Sequence, residues 1–127
     1  MIDHVSIAVG DLATAAQFYD RALAPLGLKR VADRGRSIGF GKTYPELWLN
    51  LREGFSASAD SGQHVCLRAP SEDAVQAFYA AALEGGARSD RTPGPYPGVK
   101  TTYHCAFILD LDGNRIEVAT FPRPSAP

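Results

Sequence analysis

Polar and apolar residues alternate over residues 3–9, where Val5, Ile7 and Val9 fall on one side and His4, Ser6 and Ala8 on the other. The same alternation returns over 63–69, with Val65, Leu67 and Ala69 opposed to His64, Cys66 and Arg68. A period of two predicts a half-buried strand in each place. Behind each strand the apolar spacing changes to i, i+3, i+4, i+7: Ala15, Phe18, Tyr19 and Ala22, then Val75, Phe78, Tyr79 and Ala82. That spacing predicts a helix with one buried stripe. Asp11 opens the first helix and Ser71 the second, the latter with Glu72 and Asp73 in its first turn. Gly27 and Gly85-Gly86 are placed to end them. Strand-like runs follow at 28–33, 37–42 and 46–52, and again at 87–91, 103–110 and 114–120.

The two halves are copies. His4-Val5-Ser6-Ile7 returns sixty residues on as His64-Val65-Cys66-Leu67, with Phe18-Tyr19 and Ala22-Leu23 repeated as Phe78-Tyr79 and Ala82-Leu83 in the same register. Beyond the helices the offset becomes 67, so that Gly39-Phe40 matches Ala106-Phe107 and Leu47–Leu51 matches Asn114–Val118. The seven extra residues are expected in the Pro/Gly-rich stretch 92–98, read as a long loop. Asp110-Leu111-Asp112-Gly113 reads as the turn between the last two strands. The expectation is an α+β fold of two βαβββ modules, about 1–53 and 61–121, in one domain over 1–121 with a tail at 122–127.

Alternation also decides which side chains face away from the helices. Leu47, Leu49 and Leu51 pack inward and leave Glu46, Trp48, Asn50 and Arg52, while Ile116 and Val118 leave Arg115, Glu117 and Ala119. This second face is polar, with two histidines and a glutamate on three strands. An antiparallel sheet can simply show such a face to water. Curled into a trough, the same face offers His4, His64 and Glu117 as ligands for a divalent metal (Zn, Ni, Mn, Co or Fe(II)) with open positions for substrate. Ser6, Trp48, Arg68 and Arg115 share that face, and the two arginines suit an anionic substrate group. Tyr96, in the Pro/Gly stretch, is placed to close over a ligand.

Composition removes several classes. Thirteen Lys and Arg against fourteen Asp and Glu give a formal charge of −1, with no basic block to hold nucleic acid or an anionic membrane. The 45% hydrophobic and 21% charged fractions of the 127 residues suit an ordinary globular domain. No apolar run approaches the ~20 residues of a bilayer span. Cys66 and Cys105 make no disulfide framework, and no signal-type segment precedes the first strand, so a cytoplasmic location is expected.

The paired βαβββ pattern, the opening Asp3-His4-Val5-Ser6-Ile7-Ala8-Val9 and the closing Asp110-Leu111-Asp112-Gly113-Asn114-Arg115-Ile116-Glu117 resemble the vicinal oxygen chelate superfamily, which holds glyoxalases, extradiol dioxygenases and bleomycin-binding proteins. The resemblance implies a U-shaped mixed β-sheet with helices outside, and a homodimer whose site is completed within one chain or across two. It also implies one divalent metal on His4, His64 and Glu117. The activity implied is glyoxalase-like: chelation of a small substrate through neighbouring oxygens and stabilisation of an enediolate or oxyanion, with Glu117 as a catalytic group. Asn50 stands where glyoxalases carry a second glutamate, and Phe107 where fosfomycin transferases and extradiol dioxygenases carry a tyrosine. Both are expected to line the substrate cavity. Extradiol enzymes use a further histidine base, for which His104 and Tyr103 are the neighbouring candidates, on opposite faces of their strand. The alternatives are a small Fe(II) dioxygenase and a metal-free drug-binding protein.

Overall fold

The computed structural model describes residues 1–57 and 60–122; of the expected tail, 123–127 lie outside them. The first module contains β1 (Val5–Val9), α1 (Leu12–Leu23), β2 (Lys29–Asp33), β3 (Ser37–Gly41) and β4 (Leu47–Leu51). The second repeats it with β5 (Val65–Arg68), α2 (Glu72–Glu84), β6 (Arg88–Pro97), β7 (Thr102–Leu109) and β8 (Arg115–Thr120). Both helices start where the sequence places their caps. Asp11 Oδ1 accepts the Thr14 N–H at 3.0 Å, and Ser71 Oγ accepts that of Ala74 at 3.1 Å. A single 3-10 turn, Ala24–Leu26, follows α1 and ends on Gly27, whose φ of 78° favours glycine.

The strands form two mixed four-stranded sheets, in the orders β1-β4-β3-β2 and β5-β8-β7-β6. β1 runs parallel to β4 and β5 to β8, and the remaining pairs are antiparallel. The fold class is the expected α+β arrangement. The sheet is divided, however, so that β1 and β5 each stand at an edge. What joins the modules is their helices. Phe18, Tyr19 and Leu23 of α1 and Val75 and Phe78 of α2 enter one core with Val9, Leu47, Leu49, Ile108, Ile116 and Val118. Full burial of a side chain such as Phe78 contributes roughly 1.5–3 kcal/mol. No helix among the described residues is long and apolar enough to cross a membrane.

A polar clasp closes the joint beside this core. Asp112 Oδ1 accepts the Gly10 N–H at 2.8 Å, Asn114 Nδ2 donates to the Ala8 carbonyl at 2.8 Å, and the Tyr19 hydroxyl donates to Asp110 Oδ2 at 2.6 Å. Asp110 also accepts the backbone N–H groups of Asp112 and Asn114, both at 2.9 Å. The Asp-Gly turn is therefore formed as expected and serves as a fastener to β1.

The stretch 92–98 departs from expectation. Most of it is strand, because β6 runs on to Pro97 beside β7. Prolines are tolerated there since β6 lies at the sheet edge, where a missing N–H breaks no second ladder. Register shifts between Ser89 and Arg91 and between Arg91 and Gly94 absorb the irregularity. The extra residues thus lengthen a hairpin: β6 and β7 have 10 and 8 residues, against 5 each in β2 and β3.

Candidate functional site

The outer face of the second sheet carries the densest chemistry. His64 enters from just before β5 and Glu117 from β8, and His64 Nε2 lies 3.0 Å from Glu117 Oε1. Glu117 is 4% exposed, on a face that otherwise holds a small apolar cluster of Cys105, Phe107 and Ala119. The second oxygen of Glu117 accepts a hydrogen bond from the Tyr103 hydroxyl at 2.9 Å. Burial and the neighbouring Glu117 raise the Tyr103 hydroxyl well above its ordinary value, so it holds its proton and donates. Burial, and secondarily Glu117, push the Cys66 thiol up to about 12. Cys66 and Cys105 are both free.

The His64 ring is held on three sides. Its Nδ1 lies 3.2 Å from the Gly62 carbonyl, which can only accept, so Nδ1 carries the proton. Phe107 meets the ring edge-on at 5.2 Å, and the Arg115 guanidinium covers Phe107 at 4.2 Å while bonding Asp90 at 2.6 Å. With Nδ1 committed, a neutral His64 turns the Nε2 lone pair toward a carboxylate oxygen. Two acceptors so aimed are satisfied by a second proton on the ring or by a cation between them.

His4 is prepared in the same manner on the first sheet. Its Nδ1 lies 2.7 Å from Asp3 Oδ1, leaving Nε2 free, and Asp3 also accepts from the Tyr44 hydroxyl at 3.0 Å. His4 and His64 do not meet within one chain. The turn leading into β8 is fastened to the C-terminal end of β1, and β5 lies parallel to β8 with Val65 opposite Ile116. His64 is therefore beside the far end of β1, and His4 precedes its near end, a strand length of about 17 Å away. Among the described residues no three His, Cys, Asp or Glu side chains gather as a metal-holding group.

The other expected residues divide between the two faces. Ser6 stands opposite Trp48, and Asn50 opposite Ala8, all on the first sheet. Ser6 also lines, with His64, Gln63 and Arg115, a groove of about 740 Å³ between the modules. Arg68 lies 4.9 Å over Phe121, and Tyr96 lies under Arg91 at 4.5 Å. His104, expected as a candidate base, lies away from the face that carries His64 and Glu117. It points to the helix side of β7, with Nδ1 3.2 Å from Glu72, because its strand neighbour Tyr103 occupies the outer face. Asp3, Tyr44 and Arg91 emerge only from the structure. Tyr103 had a signal in the alternation, whereas Asp3 gave none beyond adjacency to His4.

Comparison with known proteins matches these features to a family. The model of the Glyoxalase/Bleomycin resistance protein/Dioxygenase superfamily matches residues 1–118. Among curated proteins none matches this chain. Among solved structures, a glyoxalase/bleomycin resistance protein from Albidiferax ferrireducens T118 is 25% identical with a TM-score of 0.80, covering 94% of this chain and 98% of its own. A glyoxalase/bleomycin resistance protein/dioxygenase family enzyme from Burkholderia phytofirmans PsJN, 16% identical, superposes at 0.70 over 94% of this chain and 97% of its own. A glyoxalase-related enzyme from Fulvimarina pelagi, 17% identical, also reaches 0.70, over 96% and 88%. With its fold, its paired modules and nearly its whole length accounted for, the chain belongs to the Glyoxalase/Bleomycin resistance protein/Dioxygenase superfamily.

Proposed function

We propose that this protein is a divalent-metal-dependent enzyme of glyoxalase-like type, acting as a homodimer in which His4 of one copy joins His64 and Glu117 of another. The observation that carries the reading is the matched preparation of the two histidines. Each has Nδ1 committed, to Asp3 or to the Gly62 carbonyl, and each leaves Nε2 to a ligand, with Glu117 Oε1 already 3.0 Å from one of them. The separation of His4 from that pair along β1, and the open edges of β1 and β5, favour completion by a second copy. When bound, a divalent cation supplies Lewis acidity toward a substrate with two neighbouring oxygens.

The chain's own residues narrow the rest. Asn50 cannot take a proton and His104 faces the helices, whereas Glu117 lies on the site face beside His64 and is the carboxylate placed to move a proton at the substrate. Phe107 gives an apolar wall without a hydroxyl. Arg115 is occupied by Asp90, so of the two arginines expected on this face Arg68, without an ion pair among the described residues, is the one available for an acidic substrate group.

The test is metal content in protein purified without chelators, followed by mixing of variants. Wild type is expected to hold one ion per chain, and His4→Ala and His64→Ala close to none. A heterodimer of the two variants keeps one intact site and regains one ion per two chains. Absence of stoichiometric metal in the wild type sinks the reading in favour of a metal-free binding protein, and a heterodimer without metal sinks the shared site. Bound iron with oxygen uptake on catechols moves the assignment to a dioxygenase.

A further inference from the structure

The β6–β7 hairpin is longer than its counterpart in the first module, and the added length carries tyrosines that the repeat lacks. At the offset of 67 the residue matching Tyr103 is Arg36. Tyr96 pairs with Tyr103 across the hairpin, and the pairing of His104 with Thr120 puts Phe121 on the other side. The three rings form a row. Tyr103 stacks on Phe121 at 4.7 Å and 23°, and its centroid lies 5.6 Å from that of Tyr96. Arg68 and Arg91 cover the two ends of the row. A ring wedged in this way has little rotamer freedom, and from it the hydroxyl reaches Glu117 Oε2 at 2.9 Å.

A carboxylate offers a cation either one oxygen or both. Here one oxygen faces His64 Nε2 and the other is held by a fixed donor. We propose that Tyr103 is a positioning residue that makes Glu117 a one-oxygen ligand, keeping Oε2 occupied and presenting only Oε1, beside His64, to the metal. This rests on the metal-dependent reading above. Partners of this kind orient the ligand and typically change metal affinity by about 10–100-fold when removed.

The probe is Co(II), whose visible absorption reports its ligand set, titrated into the metal-free full-length protein. Tyr103→Phe keeps the stacked ring and removes only the donor. It is expected to weaken Co(II) binding about tenfold or more and to alter the visible bands, because Glu117 becomes free to turn its second oxygen to the ion. Tyr96→Phe removes a hydroxyl from the same row that makes no bond to Glu117, and is expected to match wild type in both respects. Equal affinity and identical bands in wild type and Tyr103→Phe overturn the tyrosine's role and leave the metal site standing. Equal weakening by Tyr96→Phe overturns it too, assigning the effect to packing of the row. A wild type that takes up no Co(II) overturns the metal reading and this inference with it.

Discussion

Tyr19 crosses from α1 to Asp110 at 2.6 Å, and both groups are buried. Burial raises the Asp110 carboxyl above its ordinary 3.8, while the Tyr19 hydroxyl and Asn114 pull it back toward the charged form. Tyr19→Phe removes one of those supports and leaves a buried carboxylate short of a donor, which costs about 1–3 kcal/mol. The sign of its pH dependence follows. Loss of the donor raises the folded-state value further, and a carboxyl raised on folding loses stability as pH climbs from the unfolded value through the folded one. Urea unfolding of wild type and variant is therefore expected to give a larger difference near neutrality than below 3.8; a difference independent of pH contradicts this account. At this scale the sequence was informative about faces and silent about partners. Alternation placed Tyr103 and His104 on opposite sides, yet which side each took follows from β7 packing its even-numbered residues against α2. Asp3 and the Gly62 carbonyl, which orient the two histidines, leave no periodic trace.

Among the elements, the two helices were the most legible, since the 3.6-residue stripe, the cap and the terminating glycine agree at both. β6 was the least legible, because Pro and Gly argue against strand everywhere except an unpartnered edge. The same local chemistry gives different demands on glycine. A methyl on Gly41 collides with the Tyr44 carbonyl oxygen in the tight turn between β3 and β4, whereas one on Gly94 in β6 meets nothing within 4 Å. Gly41→Ala is expected to destabilise by roughly 1–3 kcal/mol, as overpacking does, and Gly94→Ala to fall within about 0.5 kcal/mol of wild type. Thermal or urea unfolding of the pair checks this. Equal effects would show that the turn relaxes without cost.

For the molecule as a whole, sixty-residue periodicity identified two modules but not how they meet. A pattern of inward and outward residues says which face is buried and nothing about which strand ends lie side by side. That is why three ligand-type residues were legible while their division between distant ends of β1 was not. The single core of α1 and α2, with the clasp from Asp112 and Asn114 to β1, makes each module dependent on the other. Fragments 1–53 and 61–121 are expected to be unfolded alone and to gain helical circular dichroism when mixed. Independent folding of either would contradict the shared core.

The clasp has an evolutionary consequence. Of the closing run from Asp110 to Glu117, Asp110, Asp112 and Asn114 fasten the modules, while Arg115 and Glu117 turn toward the outer face. Selection for a foldable chain therefore preserves most of the run whether or not any chemistry survives. A descendant that exchanges Glu117 for a neutral residue keeps its joint, its core and its family signature. One substitution at Glu117 then removes the carboxylate from the outer face and leaves the scaffold intact, so the chemistry of that face can change at little structural risk.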